Sequence, residues 1–198
     1  MKKGARTKAA ILADALELAG SIGVSGLSIG SLAEHCGLSK SGLFAHFGSK
    51  EALQADVLDF AREHFTEQVV RPAWRQQSAR ARLASAFDGW LRWTRDAKHA
   101  RSCVFFAAAP EWDDRGGEVR DKLVDIQKSW RDALARVVAR GIERGEFRAE
   151  LEPEQVVYDM FGIMLSYHHS AGLMRDPRAA ARARRSFDRL LAGLLKPS

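Results

Sequence analysis

The sequence lacks the features of disulfide-bonded, zinc-binding and membrane-spanning proteins. It contains only two cysteines, Cys36 and Cys103, in 198 residues, and two cannot form a disulfide framework or, on their own, a zinc site. No stretch reaches the roughly 18 apolar residues of a membrane span. Acidic residues also interrupt the apolar stretch that follows the basic N-terminus. We therefore expect a cytoplasmic protein without a membrane segment, with both cysteines as small buried core residues.

Tyrosine is scarce as well, with two residues, and no segment shows the alternating pattern of a β-strand. Alanine, arginine and leucine are the commonest residues, and they favour helices, as glutamate also does. We therefore predict an all-α fold of about nine helices. The apolar periodicity and the glycine and proline positions predict helices over residues 6–22, 29–36, 40–47, 50–74, 78–97, 103–109, 118–144, 153–174 and 177–195.

No catalytic or metal-binding pattern is present in the sequence. Serine, histidine and aspartate occur without a nucleophile elbow, and Gly116 and Gly117 stand alone rather than in a phosphate-binding loop. The spacing of Glu111, Asp113 and Asp114 matches no metal motif. Capping of the following helix by Asp113 or Asp114 is a simpler interpretation. We therefore expect no enzymatic activity, no catalytic residues, no metal and no cofactor.

Residues 27–50 show the pattern of two short helices joined by a tight turn. Ser28 and Ser39 can each cap a helix N-terminus, and Gly37 falls where a helix end favours a left-handed residue. This is the helix-turn-helix pattern. The outward residues of its second helix are Lys40, Ser41, Gly42, Ala45 and His46. None of these is bulky and apolar, so the helix can enter a DNA major groove about 12 Å wide.

The same segment resembles the N-terminal domain of the TetR/AcrR family of bacterial transcriptional regulators. The resemblance rests on Leu27, Ser28, Ile29, Leu32, Ala33, Gly37, Leu38, Ser39, Gly42, Leu43, Phe44, His46, Phe47, Ser49, Lys50, Glu51, Ala52 and Leu53. It covers roughly the first quarter of the chain. It implies a helix-turn-helix DNA-binding domain, which we predict over residues 1–50, and a helical effector-binding and dimerisation domain over residues 51–198.

The resemblance also implies that the helix at residues 40–47 reads double-stranded operator DNA. The residues predicted to contact bases or the groove are Lys40, Ser41 and Gly42. The residues predicted to contact phosphates, which position without specifying, are Ser28, Ser39, His46 and Lys50. Phe44 stands where the family usually has a tyrosine whose hydroxyl reaches a phosphate. Phe44 can pack there, but it cannot donate a hydrogen bond.

The charge of the chain fits a polyanionic partner. The net charge is +6, and residues 1–50 contain six lysines and arginines against three acidic residues. Near the N-terminus, Lys2, Lys3, Arg6 and Lys8 either contact phosphates or form a solvated basic arm.

The family tends to hold its effector in the C-terminal domain, and this chain has many aromatic residues there. The residues predicted to line an effector pocket are Phe87, Trp90, Trp93, Phe105, Phe106, Trp112, Trp130 and His168. Pockets for small molecules are mostly apolar and aromatic, with a few polar groups. For any single residue in this set, an ordinary helical core remains the alternative.

The segment at residues 153–174 is apolar nearly all round, so we expect it to be buried nearly all round. We predict that it pairs with the helix at residues 177–195 and with their copies in a two-fold dimer, as is usual in the family. The residues predicted at this interface are Val157, Met160, Phe161, Met164, Phe187, Leu190, Leu191 and Leu194.

The sequence thus predicts a homodimeric transcriptional regulator. We expect a repressor that binds a pseudo-palindromic operator and is released by a small, largely apolar effector. The alternative is a helical protein-interaction module whose helix-turn-helix no longer reads DNA. Phe44 favours this alternative, as does Gly30, where many relatives carry a larger residue that touches DNA.

Overall fold

The computed structural model describes residues 8–95 and 103–196. These residues form two compact units, and each unit is discontinuous in sequence. The first unit comprises residues 8–65, 94–95 and 103–125, and the second comprises residues 66–93 and 126–196. The basic residues predicted to contact phosphates at positions 2, 3 and 6 lie outside the described residues. The functional boundary predicted at residue 50 stays a prediction.

The described residues confirm the all-α fold. The α-helices are α1 (Lys8–Ile22), α2 (Ile29–Cys36), α3 (Lys40–Phe47), α4 (Lys50–Phe65), α5 (Arg71–Trp74), α6 (Ala79–Trp93), α7 (Val104–Ala108), α8 (Glu118–Glu143), α9 (Pro153–Gly172) and α10 (Ala179–Gly193). A π-helix (Thr66–Val70) joins α4 to α5, and a 3-10 helix (Ala109–Glu111) follows α7. No helix in the described residues has both the length and the apolar character needed to cross a membrane.

The predicted helix at residues 50–74 is interrupted in the structure. Regular α-helix ends at Phe65, and the π-helix follows before the short helix α5. Pro72 lies in the first turn of α5. Since proline has no N–H and its ring collides with the carbonyl four residues earlier, a regular α-helix cannot pass through this position unchanged. The π-helix forms the turn that directly precedes α5 and its proline.

In the first unit, α1 packs against α2 and α4, and α3 completes the bundle by packing against α2 and α4. Apolar residues at helical spacing fill the centre of the bundle, and each of the following is at most 2% exposed: Ile11, Ala15, Leu16, Leu32, Leu43, Leu53 and Val57. Cys103 is buried, as predicted, whereas Cys36 is partly exposed. The Cys36 thiol donates a hydrogen bond to Asp14 Oδ2 at 3.4 Å.

In the second unit, α10 packs along α9 and also contacts α6, which packs against the π-helix and α5. Aromatic rings dominate this core. Trp90 meets Tyr167 edge-on, with ring centroids 5.3 Å apart. The N-terminus of α6 is satisfied by Glu146, whose Oε2 accepts the backbone N–H of Ala79 at 2.7 Å. A carboxylate is favourable there because the helix N-terminus carries a partial positive charge.

Candidate nucleic-acid interface

Helix α2 begins with a reciprocal pair of serine hydrogen bonds. Ser28 Oγ accepts the Ser31 N–H at 3.0 Å, and Ser31 Oγ accepts the Ser28 N–H at 2.9 Å. The helix ends at Gly37, whose φ of +62° lies in the left-handed region, where a side chain would be strained. The predicted cap and the predicted turn residue are therefore confirmed.

Helix α3 begins at the second predicted cap. Ser39 Oγ accepts the Gly42 N–H at 3.2 Å. Leu43 and Phe47 point into the core and are buried. This arrangement leaves an exposed face made of Lys40, Ser41, Gly42, Phe44, Ala45 and His46. Apart from Phe44, these are the outward residues that the sequence predicted. A short helix with this small, polar face is suited to a major groove.

Phe44 adds a large apolar ring to the outer face of α3, and 60% of it is exposed. Periodicity had left this residue out of the outward set, although it follows the buried Leu43 by one position and so turns about 100° away from it. An exposed ring on this face can contact the methyl group of a thymine, as phenylalanine does in other major-groove complexes. It cannot donate a hydrogen bond to a phosphate.

Lys40 occupies the space beside Gly30. A Cβ atom added to Gly30 would lie 3.8 Å from Lys40 Cε and 3.9 Å from Lys40 Nζ. The end of the lysine side chain on α3 therefore lies next to Gly30 of α2. Because Gly30 has no side chain, the ammonium group of Lys40 has room to lie at this part of the surface.

The start of α4 is arranged to attract an anion. Ser49 Oγ accepts the Ala52 N–H at 3.0 Å and caps the helix, as predicted. The next residue, Lys50, is exposed and adds a positive charge to the positive end of the helix, although Glu51 adds a negative charge in the same turn. Lys8 is engaged within the first unit, since its Nζ lies 2.6 Å from Asp56 Oδ2 and 5.5 Å from the centre of the Phe47 ring.

The acidic loop before α8 does not cap that helix. Helix α8 begins only at Glu118, because Gly116 and Gly117 extend the loop beyond Asp113 and Asp114. Both aspartates are exposed. Within the described part of the chain, no group of three or more histidine, cysteine, aspartate or glutamate residues is placed to hold a metal ion.

The predicted effector residues are divided between the two compact units. Phe105, Phe106 and Trp112 belong to the first unit, and the other five belong to the second. Six of the set are at most 7% exposed: Phe87, Trp90, Trp93, Phe105, Phe106 and Trp112. Trp130 is partly exposed and lies 6.0 Å from Trp74, centroid to centroid. Burial lowers the pKa of His168, and the neighbouring His169 lowers it further.

Two surface cavities bear on the effector prediction. A groove of about 390 Å³ runs between α9 and α10 and is lined by Tyr158, Ser166 and Arg182 among others, but by none of the predicted effector residues. A cavity of about 220 Å³ in the first unit is lined by Trp112 together with Lys50. The assignment of the remaining aromatic residues to an effector pocket stays a prediction.

Most of the residues predicted at the dimer interface are already covered within one protomer. Seven of them are at most 8% exposed: Val157, Met160, Phe161, Met164, Phe187, Leu191 and Leu194. Leu190 keeps a partly exposed side chain. The large apolar residues exposed on α9 are Tyr158 and Leu165, at 63% and 51%, and Leu173, which directly follows the helix, is exposed at 74%. These three lie seven and eight positions apart and therefore share one side of the helix.

Two family models cover most of the chain. Residues 11–57 match the model for "Bacterial regulatory proteins, tetR family", and residues 79–187 match the model for "Tetracyclin repressor-like, C-terminal domain". The second match alone spans more than half of the sequence. The chain belongs to the TetR family of transcriptional regulators. Residues 27–50 are accordingly the DNA-binding helix-turn-helix of a TetR-family protein.

Solved TetR-family structures share the fold over nearly the whole length. A regulator from Cytophaga hutchinsonii has 18% identity and a TM-score of 0.82, covering 98% of this chain and 100% of its own. A regulator from Chloroflexus aurantiacus has 22% identity and a TM-score of 0.80, covering 92% and 90%. AibR, solved with isovaleryl coenzyme A and operator DNA, has 22% identity and a TM-score of 0.70, covering 96% and 98%. No curated protein matches the sequence.

Two side chains that support the helix-turn-helix of this TetR-family chain were not predicted from the sequence. Gln54 Nε2 donates to the carbonyl oxygens of Ser25 and Leu27, and Glu111 accepts backbone N–H groups of the same turn. Gln54 is only 4% exposed. The sequence offered one signal for Gln54: it lies on an otherwise apolar face of its helix, and a buried amide needs a hydrogen-bond partner. Nothing in the local sequence around Glu111 indicated its partner.

Proposed function

We propose that this TetR-family chain is a repressor that binds a pseudo-palindromic operator as a homodimer and leaves it when a small effector binds. The observation that carries the proposal is the exposed face of α3, presented on a helix that is capped by Ser39 and anchored by Leu43 and Phe47. Such a helix has a fixed orientation and can place side chains on base edges.

The DNA contacts of the proposed complex fall into two kinds. Lys40, Ser41 and Gly42 begin α3 and would meet base edges or the groove, because recognition helices contact bases through their N-terminal residues. Lys50 and the start of α4 would bind a phosphate, as would the serine caps and His46. Phosphate contacts supply affinity that depends on salt, while base contacts supply specificity.

The proposed dimer uses the exposed side of α9. Tyr158 and Leu165 on this helix form an apolar stripe with Leu173, which directly follows it. The groove between α9 and α10 runs beside this stripe. Ridges of a second copy could fill this groove in a two-fold arrangement, where each copy offers the same surface. Two identical helix-turn-helix units related by this symmetry would match the two halves of a pseudo-palindrome.

The proposed effector is small and largely apolar, and the aromatic residues of the chain support its apolar character. AibR, a protein of the same fold that was solved with isovaleryl coenzyme A and operator DNA, supports binding of an organic ligand by this fold. Its ligand combines a short apolar acyl group with a large, charged coenzyme. An effector releases DNA only if it binds the released state more tightly than the DNA-bound state. A shift from 99% bound to 99% released requires a preference of roughly 10⁴-fold.

Selection from random DNA tests the proposal. Purified protein is incubated with a pool of random duplexes, and the bound duplexes are amplified and sequenced over several rounds. The proposal predicts enrichment of one pseudo-palindromic motif. Lys40→Ala should change or relax the base preference at defined positions of that motif, because base contacts set specificity. A pool that stays random after selection would contradict the proposal.

Phe44 supports a second candidate function, a protein-interaction module whose helix-turn-helix no longer reads DNA. Its ring is 60% exposed and lies on the face that would otherwise enter the groove. Aromatic residues are enriched at protein interfaces. Under this alternative, the selected pool shows no motif, and Phe44→Ala weakens binding of a protein partner rather than of DNA.

A further inference from the structure

The turn between α1 and α2 is held by a carboxylate from a distant part of the first unit. Glu111 Oε2 accepts the backbone N–H of Ser25 at 2.6 Å, and Glu111 Oε1 lies 3.3 Å from the backbone nitrogen of Val24. These partners are 86 and 87 residues away in the sequence. Hydrogen bonds to a carboxylate are stronger than neutral ones, so this contact is a strong restraint on the turn.

The turn is shaped to receive this carboxylate. Gly23, the residue after α1, has a φ of +77°, which a side chain would strain. A Cβ atom at Gly23 would also lie 2.9 Å from Glu111 Oε1, closer than atoms of neighbouring side chains normally approach. The glycine therefore allows both the reversal of the chain and the close approach of the carboxylate.

A second side chain, that of Gln54, binds the backbone carbonyl groups of the same turn. Gln54 Nε2 donates to Leu27 O at 3.1 Å and to Ser25 O at 3.3 Å. Leu27 directly precedes Ser28, the residue that caps α2. With its N–H groups bound by Glu111 and its carbonyl groups bound by Gln54, the turn has a fixed shape. The start of α2 is fixed with it.

We propose that Glu111 is a positioning residue for operator binding. By holding the turn at Val24 and Ser25, its carboxylate sets the entry of α2 and so the orientation of the whole helix-turn-helix. The inference rests on the proposed DNA-binding function. Glu111 ends the 3-10 helix that follows α7.

Two observations describe the segment that carries Glu111. Glu111 lies within residues 79–187, which match the family's C-terminal domain, whereas the turn that it holds lies within residues 11–57, which match the DNA-binding domain. On α7, Phe105 is one of the predicted effector residues, and its ring packs edge-on against Phe65 with centroids 5.8 Å apart.

The test compares variants of Glu111 with matched variants of Asp113. If only electrostatics mattered, removal of an acidic residue would tighten binding to DNA, because a negative charge near the phosphates is lost. The inference predicts the opposite sign for Glu111→Ala, with operator affinity reduced about tenfold relative to Asp113→Ala, since two charge-assisted hydrogen bonds are lost. Equal operator affinity of the two alanine variants would overturn the inference.

A second pair of variants keeps the charge constant. Glu111→Asp withdraws the carboxylate by one methylene, and Asp113→Glu is its control at an exposed position. Only Glu111→Asp should weaken operator binding and accelerate hydrogen exchange at the Val24 and Ser25 amides, with the unfolding temperature unchanged. Unchanged exchange at both amides would overturn the inference. Failure of the wild-type protein to bind its operator would instead overturn the proposed function on which the inference rests.

Discussion

The rings of Phe87 and Phe187 are stacked face to face in the second unit, with centroids 4.1 Å apart and planes 2° apart. Phe87 lies on α6 and Phe187 lies on α10, and each ring is at most 1% exposed. The guanidinium of Arg184 lies 5.1 Å from the first centroid and 5.8 Å from the second, and forms an ion pair with Asp88. The pair therefore joins α6 to α10 inside one protomer.

Phe187→Ala should destabilise the fold. Removal of a buried phenylalanine ring typically costs about 3–5 kcal/mol, from the lost apolar burial and the remaining cavity. Urea denaturation followed by circular dichroism measures this cost. The matched control is Arg189→Ala on the exposed side of α10, which should change the free energy of unfolding by less than about 0.5 kcal/mol. Equal stability of the two variants would contradict the core role of the stack.

Leu165→Glu should convert the dimer to monomers without unfolding it. Leu165 is 51% exposed on α9, so a charge costs little in the protomer but opposes burial against a second copy. Light scattering at several protein concentrations measures the mass. Val124→Glu is the control, because Val124 is a similarly exposed aliphatic residue on α8, at 47%. A persistent dimer in the Leu165 variant would place the interface elsewhere.

Lys50→Ala should weaken binding to specific and random DNA alike. Because one phosphate contact would be lost, the slope of log affinity against log salt should fall by about one unit. Fluorescence anisotropy from 50 to 300 mM salt (a range chosen to resolve the slope) measures it. Lys128→Ala, which removes an exposed lysine of α8, is the control. An unchanged slope in the Lys50 variant would remove this residue from the phosphate contacts.

Phe44→Tyr should tighten operator binding. The added hydroxyl can donate to a phosphate, and one such hydrogen bond contributes a net gain of about two- to tenfold in affinity. Phe44→Leu provides the control, because it keeps an apolar side chain without a donor and should not tighten binding. If tyrosine and leucine have the same effect, position 44 does not face a phosphate in the complex.

The protein should lose stability as the pH falls below about 6.5, in part through His168. Burial and then His169 lower the pKa of His168 in the folded state below its ordinary value of 6.5. The unfolded chain therefore binds this proton more readily, and acid favours unfolding. His168→Gln should reduce the slope of the unfolding free energy between pH 7 and 5. A slope identical to that of the wild type would exclude this contribution.

Features that depend on neighbours in sequence were predictable. The serine caps at Ser28, Ser39 and Ser49 and the left-handed Gly37 each follow from bonds within about four residues, so the local pattern contains all the information. The presence of each helix was also predictable from the local sequence, because apolar residues recur at helical spacing wherever one face of a helix is buried. The interruption before α5 lies next to Pro72, where a break in the helix was expected, and the effect of a proline on the preceding turn is also local.

Features that depend on distant partners were not predictable. Phe87 was assigned to an effector pocket and Phe187 to a dimer interface, and both assignments stay predictions. The stack that the two rings form with each other was not predicted. Contacts between apolar side chains are not directional, so the sequence does not indicate which residue an apolar side chain will contact. Burial in a core and burial in an interface therefore give the same sequence pattern. Glu111 shows the same limitation for a polar residue, because the amides that it binds are more than 80 positions away.

Titration of an operator duplex tests the central claim most directly. The duplex carries the selected motif, the protein is the purified full chain, and excess random DNA is present at low and at moderate salt. The account predicts saturation at two protomers per pseudo-palindrome, with binding that survives the competitor at both salt concentrations. The account would be contradicted by weak binding without a defined stoichiometry. The same holds if competitor DNA and salt abolish operator binding as readily as they abolish binding to random DNA.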